Sequence, residues 1–251
     1  MINVNIPALQ SLLSCARRAV DDYGMIEEGD RIAVGVSGGK DSLALLAVLK
    51  GLQKFYPKKF EVVAIHLQMG FPGGDSGNIR ELCEALDVEL TEVPTEIYEV
   101  VFNVRKEKNP CSLCANMRRG TLYSTAKAMG CGKIALGHHF DDAVETLVMN
   151  LFREGRFGCF SPVTYLDRTD VTMIRPLLYV TEGELKRFVA AAGIRPSPKL
   201  CPADGNTVRE ETKQFLAERE RADHGLKLRL FGALERAGVD GYSVHQRGRK
   251  K

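Results

Sequence analysis

Apolar residues gather in short, nearly unbroken runs, and stretches with helical spacing separate these runs along the chain. Most runs are rich in Val, Ile, Leu and Ala, which is typical of parallel strands buried on both faces of a sheet. The pattern predicts strands at 31–36, 60–67, 89–93, 134–136 and 171–174. It predicts helices at 8–23, 41–52, 76–86, 141–152 and 181–192, and a further helix that ends near 129. The helix at 181–192 begins with the capping-box spacing of Thr181 and Glu184.

Strands that alternate with helices predict an α/β fold with a doubly wound parallel sheet. An N-terminal helix precedes this sheet and a helical extension follows it. Ligands of such sheets bind beyond the carboxyl ends of the strands. We therefore expect Ser37–Ser42, His66 and Gly137–Asp142 to meet at one edge of the sheet, although they are distant in sequence.

The predicted elements divide the chain into four parts. They are an N-terminal helical segment (1–29), an α/β domain with a cysteine-bearing insertion (30–195), a C-terminal segment with helices (196–238) and a basic tail (239–251). The tail holds several Arg and Lys residues, so it favours phosphate-rich partners, although a solvated end has the same composition.

Composition narrows the class of protein. Hydrophobic residues make up 44% and charged residues 27% of the chain, as is ordinary for a water-soluble globular protein. No apolar run approaches the length of a membrane span, and the first residues lack the pattern of a secretory signal. We therefore expect a cytoplasmic protein without a membrane partner. Seven cysteines, an odd number, favour thiol, metal or redox chemistry over a disulfide framework.

The hexapeptide Ser37-Gly38-Gly39-Lys40-Asp41-Ser42 joins a predicted strand to a predicted helix. Its two glycines let backbone N–H groups approach an anion closely, and the helix directs its positive dipole end at the same place. The lysine adds a charge and the serines add hydroxyl groups. The spacing is too short for a Walker A loop. The sequence therefore predicts a phosphate-binding loop of another type.

This hexapeptide resembles the signature of the PP-loop ATP pyrophosphatases. The resemblance implies that the loop holds the β- and γ-phosphates of ATP and that the bond between the α- and β-phosphates breaks. It also implies a Rossmann-like fold of the adenine nucleotide α-hydrolase type.

A second polar group, Gly137 to Asp142, ends a predicted strand and opens a helix. Carboxylates at this place can hold Mg²⁺ against ATP phosphates or accept a proton, and they can also simply cap the helix. We favour Asp141 as the acid, base or metal residue and assign Asp142 to cofactor binding. His66, at the end of another strand, is expected to line the adenosine pocket.

Two cysteines, Cys111 and Cys114, form a Cys-x-x-Cys turn that opens a helix. This spacing gives two thiolates the right separation for one metal or cluster. No second Cys-x-x-Cys is present, so a third ligand must come from elsewhere. We favour Cys201, which lies in a rigid proline-rich segment, and Cys159 in a glycine-rich loop stays an alternative.

Four motifs that follow one another along the chain point to one family within the PP-loop ATP pyrophosphatases. After the hexapeptide come Cys-Ser-Leu-Cys with Arg-Arg-Gly, then Leu-Gly-His-His-x-Asp-Asp-x-x-Glu-Thr, then Ile-Arg-Pro-Leu. Together they resemble the tRNA 2-thiocytidine biosynthesis proteins over about residues 10–236. The resemblance implies a [4Fe-4S] cluster on Cys111, Cys114 and Cys201, with one iron left open for sulfur. One departure is Pro198, which stands where the family often has a further cysteine.

The resemblance implies an ATP-dependent tRNA sulfurtransferase that forms AMP and pyrophosphate. It adenylates C2–O of a base, by resemblance cytidine 32, and sulfur replaces the oxygen. Lys40 is expected to act on the phosphates, and Arg118 is expected to steady charge near the base or sulfur. The expected sulfur donor is sulfide or a cysteine desulfurase persulfide, and a homodimer is the assembly we consider. The alternatives are a tRNA 2-thiouridine synthetase, or an iron–sulfur or sulfur-carrier protein with regulatory ATP binding.

Overall fold

One sheet of six strands organises residues 2–106, 110–203 and 208–245, the parts of the chain that the computed structural model describes. The strands are β1 (Asp30–Gly35), β2 (Phe60–Gln68), β3 (Leu90–Pro94), β4 (Lys133–Ala135), β5 (Val163–Leu166) and β6 (Val171–Ile174). Their order is β3-β2-β1-β4-β6-β5, and every neighbouring pair is parallel except β5 with β6. The predicted doubly wound parallel sheet is confirmed.

Eight α-helices surround the sheet in the described ranges, and the helical extension after the sheet is confirmed. They are α1 (Pro7–Asp22), α2 (Lys40–Leu52), α3 (Gly77–Leu86), α4 (Pro110–Ala128), α5 (Phe140–Met149), α6 (Glu182–Ala191), α7 (Val208–Ala222) and α8 (Leu226–Ala237). The predicted apolar face of α1 is buried, and this face packs against α2 and α6. Helix α5 ends earlier than predicted, because a π-helical turn at Asn150–Glu154 follows it.

The sheet separates two hydrophobic clusters. Ile32 and Val34 of β1 point into the larger cluster, which α1, α2, α5 and α6 cover, whereas Ala33 points into the smaller one. Leu122 and Ala126 of α4 cover the smaller cluster. Successive side chains of a strand alternate between faces, so a strand covered on both sides needs an unbroken apolar run. This is why the pattern predicted β1 so clearly.

The antiparallel edge strand β5 was not predicted from the sequence. It has only four residues, none of them fully buried, and Tyr165 is largely exposed, so no apolar run marks it. A tight turn holds it against β6: Asp170 adopts a left-handed backbone with φ of 51°, and its N–H donates to the Leu166 carbonyl at 2.8 Å. Pairing with β6, rather than the composition of β5 itself, therefore stabilises this strand.

A capping box fixes the start of α6, as its sequence spacing predicted. The Thr181 hydroxyl accepts from the Glu184 N–H at 3.3 Å, and the Glu184 carboxylate accepts from the Thr181 N–H at 2.9 Å. These contacts satisfy two backbone donors that a helix start leaves without partners. They place Glu182, the first residue of α6, beside the Ser37–Ser42 loop.

Helices α7 and α8 pack against α5 at the carboxyl edge of the sheet. The Phe231 ring of α8 lies 5.0 Å from that of Phe140, and this contact helps to fix α8 on α5. The basic end of the predicted tail, residues 246–251, lies outside the described residues. Within the described ranges, no helix is both long and apolar enough to cross a bilayer.

Candidate active site

The Ser37–Ser42 loop leaves β1 and enters α2 in a tight, hydrogen-bonded turn. The Ser42 hydroxyl donates to the Gly39 carbonyl at 2.9 Å and accepts from the Ser37 N–H at 3.1 Å. Gly38 adopts a φ of 81°, which glycine reaches without strain. The first N–H groups of α2 have no acceptor within the helix. The loop is thus built to present backbone donors to an anion.

A close approach between backbones joins this loop to the Gly137–Asp142 motif. A Cβ atom on Gly137 would lie 3.0 Å from the carbonyl carbon of Asp41 and 3.1 Å from the Ser42 nitrogen. Both neighbours are backbone atoms of the first turn of α2, so they cannot move aside cheaply. Glycine fits here without displacing them, whereas any larger residue requires these backbone atoms to shift. The structure therefore brings together two motifs that lie about a hundred residues apart, as the sheet topology predicted.

His139 is buried among three carboxylates. Its Nε2 atom lies 3.4 Å from an oxygen of Asp142 and 3.7 Å from Oδ1 of Asp41, and its Nδ1 atom lies 4.0 Å from Asp141. The backbone N–H of His139 donates to Asp142 Oδ2 at 3.0 Å. Oδ1 of Asp41 and Nδ1 of His139 are buried and have no hydrogen-bond partner among the described residues. Buried polar atoms of this kind indicate a missing partner.

Asp141, which we favoured as an acid, base or metal residue, is held by two other helices. One of its oxygens accepts from Lys227 of α8 at 2.6 Å, and the other accepts from the backbone N–H of Glu182 at 2.7 Å. Burial alone would raise the pKa of this carboxyl, but these two bonds outweigh it and lower the pKa. Asp141 is therefore ionised at neutral pH, and its role in the reaction stays a prediction.

His66 and Arg118 lie close to the features that the sequence predicted for them. The Nδ1 atom of His66 is 2.8 Å from the carbonyl oxygen of Val36, directly before the phosphate-binding loop. Arg118 is exposed on α4 and its charge acts on the Cys114 thiol. The proposed adenosine contact of His66 and the charge-steadying role of Arg118 stay predictions.

The segment that carries Cys201 crosses directly over the phosphate-binding loop. The Ser197 N–H donates to the Gly38 carbonyl at 2.9 Å, and the Ser197 hydroxyl lies 3.2 Å from an Asn78 oxygen at the start of α3. The Asn78 amide also donates to the Arg195 carbonyl at 2.7 Å. These contacts fix the chain a few residues before Cys201, at the same edge as the loop.

Three thiols share one electrostatic environment beside this segment. Cys111 is exposed, and Cys114 and Cys201 are half-buried. Burial raises the pKa of the Cys114 thiol, Arg118 lowers it, and the charges of Cys201 and Cys111 raise it further. In the described part of the chain, no three Cys, His, Asp or Glu side chains converge tightly enough for a single metal ion.

Cys159, the alternative third ligand, lies elsewhere. It is buried against α5, where its thiol donates to the Ala143 carbonyl at 3.4 Å and lies 3.5 Å from the Tyr242 hydroxyl. Burial raises the pKa of this thiol to about 11. Its contacts hold it inside the core, whereas Cys201 lies close enough to Cys114 for its charge to act on that thiol. The geometry therefore favours Cys201 over Cys159.

Comparisons with known proteins agree with this geometry. A family model described as the PP-loop domain matches residues 12–197. The tRNA-cytidine(32) 2-sulfurtransferase of Saccharophagus degradans is 41% identical over 224 residues, which are 88% of this chain and 72% of the relative. The enzyme of the same name from Geobacter sulfurreducens is 40% identical over 220 residues, 86% of each chain. The chain belongs to this family of PP-loop proteins.

The PP-loop fold is also found in a solved structure. The U34-tRNA thiolase NcsA from Methanococcus maripaludis, solved with its [4Fe-4S] cluster, superposes with a TM-score of 0.72 at 24% identity. The match covers 89% of this chain and 77% of that one. At this identity the likeness supports the fold, and the resemblance to PP-loop proteins seen in the sequence is confirmed.

Four charged residues near the PP-loop were not predicted as site residues. Glu182 lies 3.2 Å from Lys40 of the loop, and Lys213 binds the same Glu182 oxygen at 2.8 Å. Arg209 donates to Asp142 at 2.9 Å, and Lys227 contacts Asp141. The three cations come from α7 and α8. From the sequence alone, basic residues on these polar helices look like an ordinary solvent-exposed face. The capping-box spacing at 181–184 could have located Glu182 on a helix start but not beside the loop.

Proposed function

We propose that this chain is an ATP-dependent tRNA sulfurtransferase that adenylates C2–O of cytidine 32 and replaces the oxygen with sulfur. One observation carries the proposal: the hydrogen bond from Ser197 to Gly38 ties the segment of the third cysteine to the PP-loop. ATP activation and sulfur delivery therefore have neighbouring sites at one edge of the sheet. Relatives of about 40% identity that are named tRNA-cytidine(32) 2-sulfurtransferase support the choice of substrate.

The PP-loop is the proposed site for the β- and γ-phosphates of ATP. Backbone N–H groups of the loop and the α2 dipole favour an anion there, and Lys40 adds a positive charge. The base oxygen attacks the α-phosphate, pyrophosphate leaves, and a base adenylate forms. AMP leaves when sulfur replaces it at C2.

Asp41 and Asp142 are the residues that would hold Mg²⁺ in this proposal. The buried, unpartnered Oδ1 atom of Asp41 and the oxygens of Asp142 flank His139, and carboxylate oxygens are the ligands that Mg²⁺ prefers. When bound, the ion neutralises phosphate charge. Asp141 joins α5 to α8 and α6 through Lys227 and the Glu182 backbone.

A [4Fe-4S] cluster fits the three thiols. Cys111, Cys114 and Cys201 would hold it, because thiolates are its ligands and the Cys114 thiol lies near both others. Held by these three thiolates, such a cluster would bind sulfur from the donor and present it to the activated base. Arg118 lies one helical turn after Cys114, where its charge favours thiolates and anions near the reacting base.

A base that reacts at C2–O must leave its stack, and proteins recognise unstacked loop bases of RNA readily. The proposed macromolecular partner is therefore tRNA, and the proposed sulfur donor is sulfide or a cysteine desulfurase persulfide. We place the protein in the cytoplasm, where its substrate tRNA is found, and consider a homodimer as its assembly.

Mass spectrometry of tRNA nucleosides from cells that lack this chain tests the proposal. We expect 2-thiocytidine to disappear and to return with a plasmid copy, but not with a copy that carries Cys201→Ala. Loss of a 2-thiouridine instead would assign the same chemistry to another base. An unchanged nucleoside profile would contradict the proposal and favour a regulatory iron–sulfur protein.

A further inference from the structure

Two lysines from distant parts of the chain share one carboxylate oxygen at the PP-loop. Oε1 of Glu182 lies 3.2 Å from the Lys40 ammonium group and 2.8 Å from that of Lys213. Lys40 belongs to the loop, whereas Lys213 is carried by α7. Glu182 is the first residue of α6, so three elements meet at this oxygen.

Helix α7 is fixed along the edge of the site by a second contact. Arg209, one helical turn before Lys213, donates to Asp142 at 2.9 Å and lies 3.5 Å from Glu145. Residues four apart lie on the same face of a helix, so both cations of α7 point at the carboxyl edge of the sheet. Lys213 is thus held toward the loop, although 37% of its side chain is exposed.

The Glu182 carboxylate is the acceptor of both ammonium groups in this structure. The Glu182 side chain is 15% exposed, and Lys213 and Lys40 outweigh the effect of its burial and lower its pKa to about 2. It is therefore ionised and occupies donors that phosphate oxygens also accept. The terminal phosphates of ATP carry more charge than one carboxylate, so they can draw both ammonium groups away from Glu182.

We propose that Lys213 is a second lysine ligand for the β- and γ-phosphates of ATP and that it exchanges Glu182 for these phosphates when the nucleotide binds. The proposal rests on the PP-loop being the ATP site. It gives helix α7 of the C-terminal segment a direct part in nucleotide binding. Lys213 of this helix would then contact the phosphates that the PP-loop holds.

Calorimetric titration of the full-length protein with pyrophosphate, ATP and AMP tests the assignment. With Lys213→Met we expect pyrophosphate and ATP to bind about 10-fold to 100-fold more weakly, since a charged hydrogen bond is lost, while AMP binding is unchanged. Lys186→Met is the matched control, because Lys186 is 59% exposed and contacts the other Glu182 oxygen at 3.3 Å. This control is expected to bind all three ligands like the wild type.

A double variant shows whether Lys213 contacts phosphate itself or only neutralises the charge of Glu182. If Lys213 contacts phosphate, Lys213→Met combined with Glu182→Gln still binds pyrophosphate more weakly than Glu182→Gln alone. Equal affinities of these two variants would overturn the proposal, as would unchanged pyrophosphate binding in Lys213→Met. Equal weakening of AMP would also overturn it, because it would indicate a distorted site. Thermal unfolding of each variant checks that it is folded, and Lys213→Arg is expected to restore most of the affinity.

Different results would contradict the proposed function and the proposed role of Lys213. Wild-type protein that binds neither ATP nor pyrophosphate would contradict the PP-loop as the ATP site. Wild-type protein that binds both, together with an unaffected Lys213→Met variant, would contradict the role of Lys213 alone.

Discussion

At the scale of single residues, five of the seven thiols fall into two classes. Cys111 is exposed, Cys114 and Cys201 are half-buried, and the charges of Cys111 and Cys201 act on the Cys114 thiol, whereas Cys83 and Cys159 are buried with pKa values raised to about 11. Burial in apolar surroundings keeps a thiol protonated and inert. The iron content of cysteine variants should follow this division.

Replacing Cys201 with alanine is expected to abolish iron binding in anaerobically prepared protein, which should otherwise hold about four irons per chain. Cys159→Ala is the matched control, and it should keep its iron while it loses some stability. Iron and sulfide assays on both variants check this. Iron retained in Cys201→Ala but lost in Cys159→Ala would move the third ligand and contradict the assignment.

The buried Glu145 carboxyl makes the stability of the folded protein depend on pH. Burial, with the charge of Asp142, raises the pKa of this carboxyl from 4.5 to about 7, although Arg209 and Lys213 oppose the shift. The folded state thus binds more protons than the unfolded state between these values, so Glu145 makes the protein less stable as pH rises through this range. Relative to wild type, Glu145→Gln should gain on the order of 1–3 kcal/mol between pH 4.5 and pH 8. Urea unfolding at both pH values checks this, and an equal difference at both would contradict it.

At the scale of elements, the contact between the β4–α5 turn and the first turn of α2 aligns the two motifs of the site. Gly137 permits this contact, because a Cβ atom there would meet backbone atoms of Asp41 and Ser42 at 3.0–3.1 Å. Any larger residue must push the two turns apart. The loop geometry and the stability of the sheet edge therefore depend on the same glycine.

Gly137→Ala is expected to destabilise the protein by about 1–3 kcal/mol and to weaken pyrophosphate binding. Gly132→Ala is the control: it lies before β4, where a Cβ atom would meet nothing within 4 Å, and it should change stability by less than about 0.5 kcal/mol. Denaturant unfolding and pyrophosphate titration measure both effects. A Gly137→Ala variant with wild-type loop affinity would show that the close approach is not needed.

The sequence predicted those elements whose signals are local. The β1–loop–α2 unit and the Thr181 capping box depend on residues that are neighbours in the chain, and both were predicted correctly. Strand β5 and the ion pairs of Glu182 with Lys213 depend on distant partners. A lysine on a polar helix face has the same local pattern whether it meets solvent or a buried carboxylate, so no periodicity could assign it.

At the scale of the whole molecule, the chain brings three segments to one sheet edge: the PP-loop, the cysteine turn of α4 and the C-terminal segment (196–238). The C-terminal segment contributes the third thiol through Cys201, the cations of α7 and α8, and the hydrogen bond from Ser197 to the PP-loop. Sequence analysis located the first two segments by their motifs. It assigned only Cys201 in the third, because the role of the remainder is defined by contacts across the fold.

This arrangement is the central claim: nucleotide activation and sulfur delivery act on one base at one edge. It requires that ATP cleavage and thiolation be coupled. The most direct measurement incubates anaerobic protein with ATP labelled at the α-phosphate, a sulfide source and tRNA that lacks thiolation, and counts AMP and 2-thiocytidine together. We predict AMP, not ADP, in equal amount to 2-thiocytidine, with neither formed by Lys40→Ala. ADP as the product, or AMP formed equally well without tRNA, would contradict the account.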